Sequence, residues 1–190
     1  GIANLPFFDE RPSAWSAHAA SHYMHCQIES GSTCPTTMTK ACIPLLHLNP
    51  ALYGVVAPLL ASREHDARDL PLAQKTSMAV GMGMTEKQGG SDVRTNTTRA
   101  VPHGQGAWGP EFLLTGHKWF CSAPMSDAFL ALAQTPAGIS CFLLPRVLDD
   151  GTRNGFAIQQ LKNKLGNRSN ASSEVEFDGT LAYLVGEEGR

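Results

Sequence analysis

The sequence predicts an α+β chain: a partial N-terminal helical bundle followed by an antiparallel β barrel or two-sheet sandwich. Three observations predict it. Up to about residue 74 the runs are long enough for helices, and in the first of them, free of internal Gly and Pro, apolar residues recur at three-to-four-residue steps. Beyond Lys75 the apolar runs become short and are separated by turn residues, as antiparallel strands require. Helices and strands therefore fall in two blocks rather than alternating, which indicates segregation instead of a parallel βαβ sheet.

The first helix is expected over Ser13–Gly31, with Ser13 as N-cap and Gly31 as stop. Trp15, Ala19, His22 or Tyr23, and Cys26 would line its buried stripe. A second helix is expected within residues 36–48, broken or begun near Pro44 and ending before Asn49 and Pro50. A third covers parts of residues 51–66, weakened by Gly54 and Pro58. Strands are expected at 77–85, 96–101, 111–122, 128–135, 139–146, 156–161, 172–179 and 181–186. The clearest alternation sets Val175 and Phe177 on one face against Glu174 and Glu176 on the other. Residues 103–110 and 148–154, rich in turn formers, read as hairpin turns.

Composition narrows the classes of function. A chain of 190 residues, 42% hydrophobic, buries a real core. Formal net charge is −2, from 15 basic and 17 acidic residues without blocks, so neither a nucleic-acid groove nor a polybasic membrane anchor is expected. No run approaches a membrane span, and the first residues lack a signal peptide's pattern, so a cytoplasmic protein is expected. Five cysteines without a CxxC pair read as free, mostly buried thiols. His18, His22 and His25 are spaced along one helix beside Cys26, but no HExxH element accompanies them, and no metal site is expected.

The chemistry concentrates in residues 81–98, where two glycine clusters surround hydroxyls and charges just after a strand. Glycines there let peptide N–H groups near Gly89 and Gly90 approach a polar cofactor, with Thr85 and Ser91 adding hydroxyls. By composition alone the same run also reads as a glycine-rich hairpin with Asp92 capping a turn. It is neither a Walker A loop nor a dinucleotide fingerprint.

The run TEKQGGSDV, residues 85–93, resembles the acyl-CoA dehydrogenase signature TEPxAGSDV, and three further segments agree in order. GHKWFCS (116–122) resembles the family's GxKxWIT strand, CFLLPR (141–146) an outward strand, and KLGNRSNASSEVEFDG (164–179) its later KxGxRxS segment. The wording is closest to the AidB-type branch, flavin-binding members associated with the response to DNA alkylation.

The resemblance implies FAD as cofactor, with Met82, Gly83, Met84, Thr85, Gly90 and Ser91 along one side of the flavin and Phe120, Cys121 and Ser122 along the other. Phe-Cys-Ser stands where most members have Trp-Ile-Thr. Ser122 keeps the hydroxyl, Phe120 keeps a ring, and Cys121 should alternate away from the flavin in a regular strand. Lys87 and Gln88 alter the substrate-side loop. The implied activity is oxidation of a CH–CH bond in an acyl thioester, with an acyl-CoA-like substrate. The catalytic glutamate is expected in a C-terminal helical domain beyond this chain, so no residue here is assigned as catalytic, and Glu86 reads as a structural or loop carboxylate. The implied domains are 1–74, part of an N-terminal helical domain; 75–186, a flavin-binding middle domain; and 187–190, the start of the C-terminal one. A homo-oligomer, commonly a tetramer, follows from the same likeness. The alternative is a flavin-containing, DNA-binding protein of the alkylation response, touching DNA only through that C-terminal region.

Overall fold

The structure, a computed structural model, describes residues 2–190. A 3-10 turn at Ile2–Phe7 leads into three helices, α1 (Ala14–Ile28), α2 (Thr33–Leu46) and α3 (Pro50–Ala61). Seven strands follow: β1 (Val80–Gly83), β2 (Arg99–Gly106), β3 (Gly109–Ser122), β4 (Ala128–Thr135), β5 (Gly138–Pro145), β6 (Phe156–Leu161) and β7 (Ser172–Val185). The α+β fold class expected from the sequence is the one observed.

The pairings close a ring. β3 pairs with β7, β7 with β5, and β5 with β4, all antiparallel. The remaining gap between β4 and β3 is filled at one end by β1 and at the other by β2. The result is a barrel, with β6 added along the first half of β7. Its interior is packed by Phe112, Leu114, Phe129, Phe142, Leu144, Val175 and Phe177, among others. α2 and α3 cover the outside of β1, β4 and β5, where Ile43, Leu46, Leu52 and Leu60 meet Val80, Leu130 and Leu143. β4 shows why its sequence is apolar throughout. Ala128 and Leu130 face the helices while Phe129 and Ala131 face the interior, so neither face meets water.

Several expectations need correction. Ser13 sits at the N-cap position of α1 but its side chain caps nothing, and the helix stops at Glu29 rather than Gly31. The expected stripe is not buried: Trp15, Ala19 and Tyr23 are exposed, His22 and Cys26 half-buried, and only Ala14 is fully covered. α1 touches little besides the 3-10 turn, through the Phe7–Trp15 ring contact, and the edge of α2, through His18 and Lys40. Pro44 does not break α2 at its own position; it lies in the last turn, and the helix ends two residues later at Leu46. α3 passes Gly54 and Pro58, capped by the Asn49 side chain on the Leu52 N–H. The strands expected at 172–179 and 181–186 are one. Gly179, at φ 62°, is the extra residue of a bulge, since Thr115 pairs with Asp178 and Leu114 with Thr180. The expected 103–110 turn is confined to Ala107 and Trp108, with strand on both sides. The 148–154 loop is closed by a Val147–Arg153 bridge, but the strands it joins do not pair with each other.

Polar side chains lock helices to barrel. Asn49 donates to the carbonyls of Trp108 and Leu184 at 2.8 and 3.1 Å. The Thr39 hydroxyl takes the Val80 N–H at 3.0 Å. In the connecting segment, Lys75 donates to the carbonyls of Asp66 and Arg68 and pairs with Asp127 at 2.7 Å.

Candidate functional site

β1 is only four residues long, yet it fixes the geometry of the site. Met82 pairs with Ser122 and Gly83 with Cys121, so the chain leaving β1 runs beside the end of β3. The pairing continues past the strand: the Trp119 N–H donates to the Thr85 carbonyl at 2.7 Å. The two stretches that the sequence singled out, Met82–Thr85 and Phe120–Ser122, are therefore neighbours.

Their outer face is apolar and open, with Met84 51% and Phe120 42% exposed. The inner face is closed. A bulge between Lys118 and Cys121 turns both side chains toward the interior, so Cys121 is buried and burial pushes its thiol up to about 12. Among the expected cofactor residues, Cys121 thus offers only its main chain to the outer face. Gly83 lets the Lys118 stem pass close to the β1 backbone, since a Cβ there would stand 3.1 Å from it.

Donors sit along the edge of this face. Neither the Thr85 hydroxyl nor its peptide N–H has an acceptor among the described residues. The Ser122 hydroxyl lies 3.1 Å from that of Ser172 on β7. Gly90 leaves room for Thr85, since a Cβ there would stand 2.8 Å from its hydroxyl oxygen. Ser91 is exposed in the same loop. Asp92 does cap a turn, accepting the Arg94 N–H at 3.1 Å.

Sequence reasoning missed what holds the loop. Glu86 and Lys118 form an ion pair of 2.7 Å with both side chains fully buried. Glu86 also accepts the Thr97 N–H, the Thr97 hydroxyl and the Thr98 N–H. Burial alone would raise its carboxyl, but the Lys118 ammonium and the Thr98 and Thr97 donors outweigh it and hold Glu86 at about 2. A signal was present. Phe112, Leu114, Gly116 and Lys118 share one face of β3, so the lysine falls on a buried row and demands a buried carboxylate. Nearby, Asn96 donates to the Met84 carbonyl and accepts from Gln88, fixing the far side of the loop. The Lys162 ammonium lies 3.3 Å from the Trp119 ring centroid while pairing with Glu174.

Residues 81–180 match the profile described as acyl-CoA dehydrogenase, middle domain. The chain belongs to the acyl-CoA dehydrogenase family. Residues 1–67 match the N-terminal domain of the adaptive response protein AidB, which places this family member on the AidB-type branch. AidB of Escherichia coli is 52% identical over 95% of this chain and 33% of its own length. Acyl-CoA dehydrogenase family member 11 of Caenorhabditis elegans is 36% identical over 83% of this chain and 26% of its own. The chain thus spans about a third or less of these curated relatives. The solved structure of ACDH-11 from C. elegans, in complex with C11-CoA, superposes with a TM-score of 0.82 at 29% identity, covering all of this chain and 33% of that one. The two signature segments of this member lie together.

Among the described residues no helix is long and apolar enough to cross a membrane. His18 bonds Lys40 and His25 bonds Ser32.

Proposed function

We propose that residues 75–186 form the flavin-bearing unit of an FAD-dependent oxidoreductase acting on the CH–CH bond of an acyl thioester. The observation that carries this is the adjacency of the two segments that bear Thr85 and Ser122, beside the open Met84 and Phe120 face. That donor set fits a flat ring with apolar faces and a polar, electron-accepting edge. Bound there, FAD supplies the acceptor for a hydride from the thioester's β-carbon.

This chain's residues would do the rest by position. Phe120 and Met84 pack against the ring and exclude water, with Met82 and Gly83 setting the strand beneath. The Thr85 hydroxyl and N–H, with Ser122, direct protons at the edge where negative charge gathers. Gly90, Ser91 and the Cys121 main chain complete the rim. Glu86 is a strut rather than a base, because its carboxylate is buried and already bonded. The proton-abstracting base is assigned to the part of the relatives' length that this chain does not span. An acyl-CoA-like substrate and a homo-oligomeric state belong to the same reading, as does a cytoplasmic location.

The match of residues 1–67 to AidB favours one second reading, a flavin-containing protein of the alkylation response that touches DNA through residues outside this chain. Purification of the full-length protein tests both. A yellow protein, or one that takes up added FAD, whose flavin band bleaches on adding acyl-CoA thioesters supports the oxidoreductase. A flavin band unmoved by thioesters, with retention on duplex DNA, supports the second reading. A colourless protein that takes up no FAD sinks both.

A further inference from the structure

The Ser122 hydroxyl stands at the end of a chain of hydrogen bonds whose direction can be read from its first member. The Lys164 ammonium lies 3.1 Å from the Ser172 hydroxyl oxygen and also bonds the Asn170 carbonyl. An ammonium only donates, so Ser172 accepts. Ser172 is 5% exposed, and the single acceptor for its own proton among the described residues is the Ser122 oxygen, 3.1 Å away. A buried hydroxyl proton without a partner is costly, so the arrangement that satisfies every group has Ser172 donating to Ser122. Ser122 then accepts from within, and its own proton is left for the outer face.

Two backbone bonds hold this relay in register. The Ala123 N–H donates to the Ala171 carbonyl at 2.9 Å, and the Lys162 N–H to the Ser172 carbonyl at 2.8 Å. Ser122 and Ser172 are direct cross-strand partners, while the next serine, Ser173, turns inward and donates to the Cys121 carbonyl at 3.1 Å. A slip of one residue would exchange the two serines' roles. Unlike Lys162, which pairs with Glu174, Lys164 meets a carbonyl and a hydroxyl, so its charge is not spent on a carboxylate among the described residues.

We propose that Lys164 and Ser172 are positioning residues that turn the Ser122 hydroxyl into a fixed hydrogen-bond donor toward the ligand of the cradle. The inference rests on the flavin reading above and deepens it: the ligand atom at Ser122 must be an acceptor, and one that gains negative charge is favoured because the relay begins at a cation.

The test uses the full-length protein and the midpoint potential of its bound FAD, together with FAD affinity followed by fluorescence. Wild type that binds no FAD defeats the flavin reading itself and is recognised before any variant is compared. With wild type binding, Ser172→Ala and Lys164→Met should each lower the site's preference for reduced over oxidised flavin about tenfold, a potential about 30 mV more negative for a two-electron couple. Ser172→Thr should restore the wild-type value. In a Ser122→Ala background, Ser172→Ala should have no further effect. Melting curves without FAD establish that each variant folds, and Lys164→Met, on a partly exposed residue, carries the test alone if Ser172→Ala does not fold. A wild-type potential in the folded Lys164 and Ser172 variants, or additive shifts in the double variant, overturns the proposal.

Discussion

The Glu86–Lys118 pair joins the two halves of the cradle from below, and its energetics follow from its surroundings. Both charges are out of water, and the carboxylate gathers three further donors from Thr97 and Thr98. Such a pair adds little over an apolar replacement, but removing one partner strands the other. Glu86→Gln should therefore cost about 3–5 kcal/mol in urea unfolding at pH 7. A variant as stable as wild type would show that Lys118 is solvated or neutral. The pair also sets a pH dependence. Glu86 has a folded pKa of about 2 against an ordinary 4.5, so its stabilisation is complete above about pH 4.5 and is lost as pH falls toward 2. Urea midpoints from pH 7 to pH 3 should fall in wild type, and less steeply in Glu86→Gln. Equal slopes would place the acid-sensitive group elsewhere.

At the scale of elements, β1 is the wedge that closes the barrel seam. Gly81 lies opposite Phe129, and a Cβ at Gly81 would stand 2.7 Å from the Phe129 ring and 2.7 Å from the Ser122 carbonyl oxygen. Neither can yield without moving a strand. Gly81→Ala should cost about 1–3 kcal/mol and weaken FAD uptake, because the Ser122 main chain is what gives way. A variant of native stability and undiminished uptake would show that the seam has slack. The same strands explain what was readable in sequence. Apolar runs and turn residues marked a segment overlapping each of the seven, most clearly in β3, β4, β5 and β7, which contribute most to the packed core. The bulges were not readable: Asp178-Gly179 looks like a turn by composition, and only its partners Leu114 and Thr115, more than 60 residues away in sequence, keep the strand going. The cradle segments were found through a motif resemblance, while the Glu86–Lys118 contact joins a loop carboxylate and a strand lysine 32 residues apart, which no local pattern pairs. α1 misled for the opposite reason. Its apolar residues suggested a buried stripe, but Trp15, Tyr23, Met24 and Ile28 remain exposed over the described residues.

For the molecule as a whole, the question is what makes helices and barrel move as one body. The apolar layer between α2, α3 and the strands supplies non-directional attraction, whereas registration depends on a few polar clamps. The segment from Ser62 to Ala79 carries most of the connection with little regular structure, and Lys75 organises it. This buried ammonium bonds two carbonyls of that segment and the Asp127 carboxylate, whose other oxygen accepts the Ala79 N–H just before β1. Replacing Lys75 leaves two carbonyls without their donor and a largely buried carboxylate without its cation, so Lys75→Met should cost about 3 kcal/mol or more. The loss should be local before it is global, because the barrel ladder does not run through this segment. Hydrogen exchange should accelerate first between Ser62 and Ala79 and at β1, and limited proteolysis should cut there while β4, β5 and β7 stay protected. FAD uptake should weaken with it, since Met82 and Thr85 hang from the end of that latch. If exchange instead rose uniformly across all strands, Lys75 would be part of the barrel's own cooperative unit, and the helices would be held by the apolar layer alone.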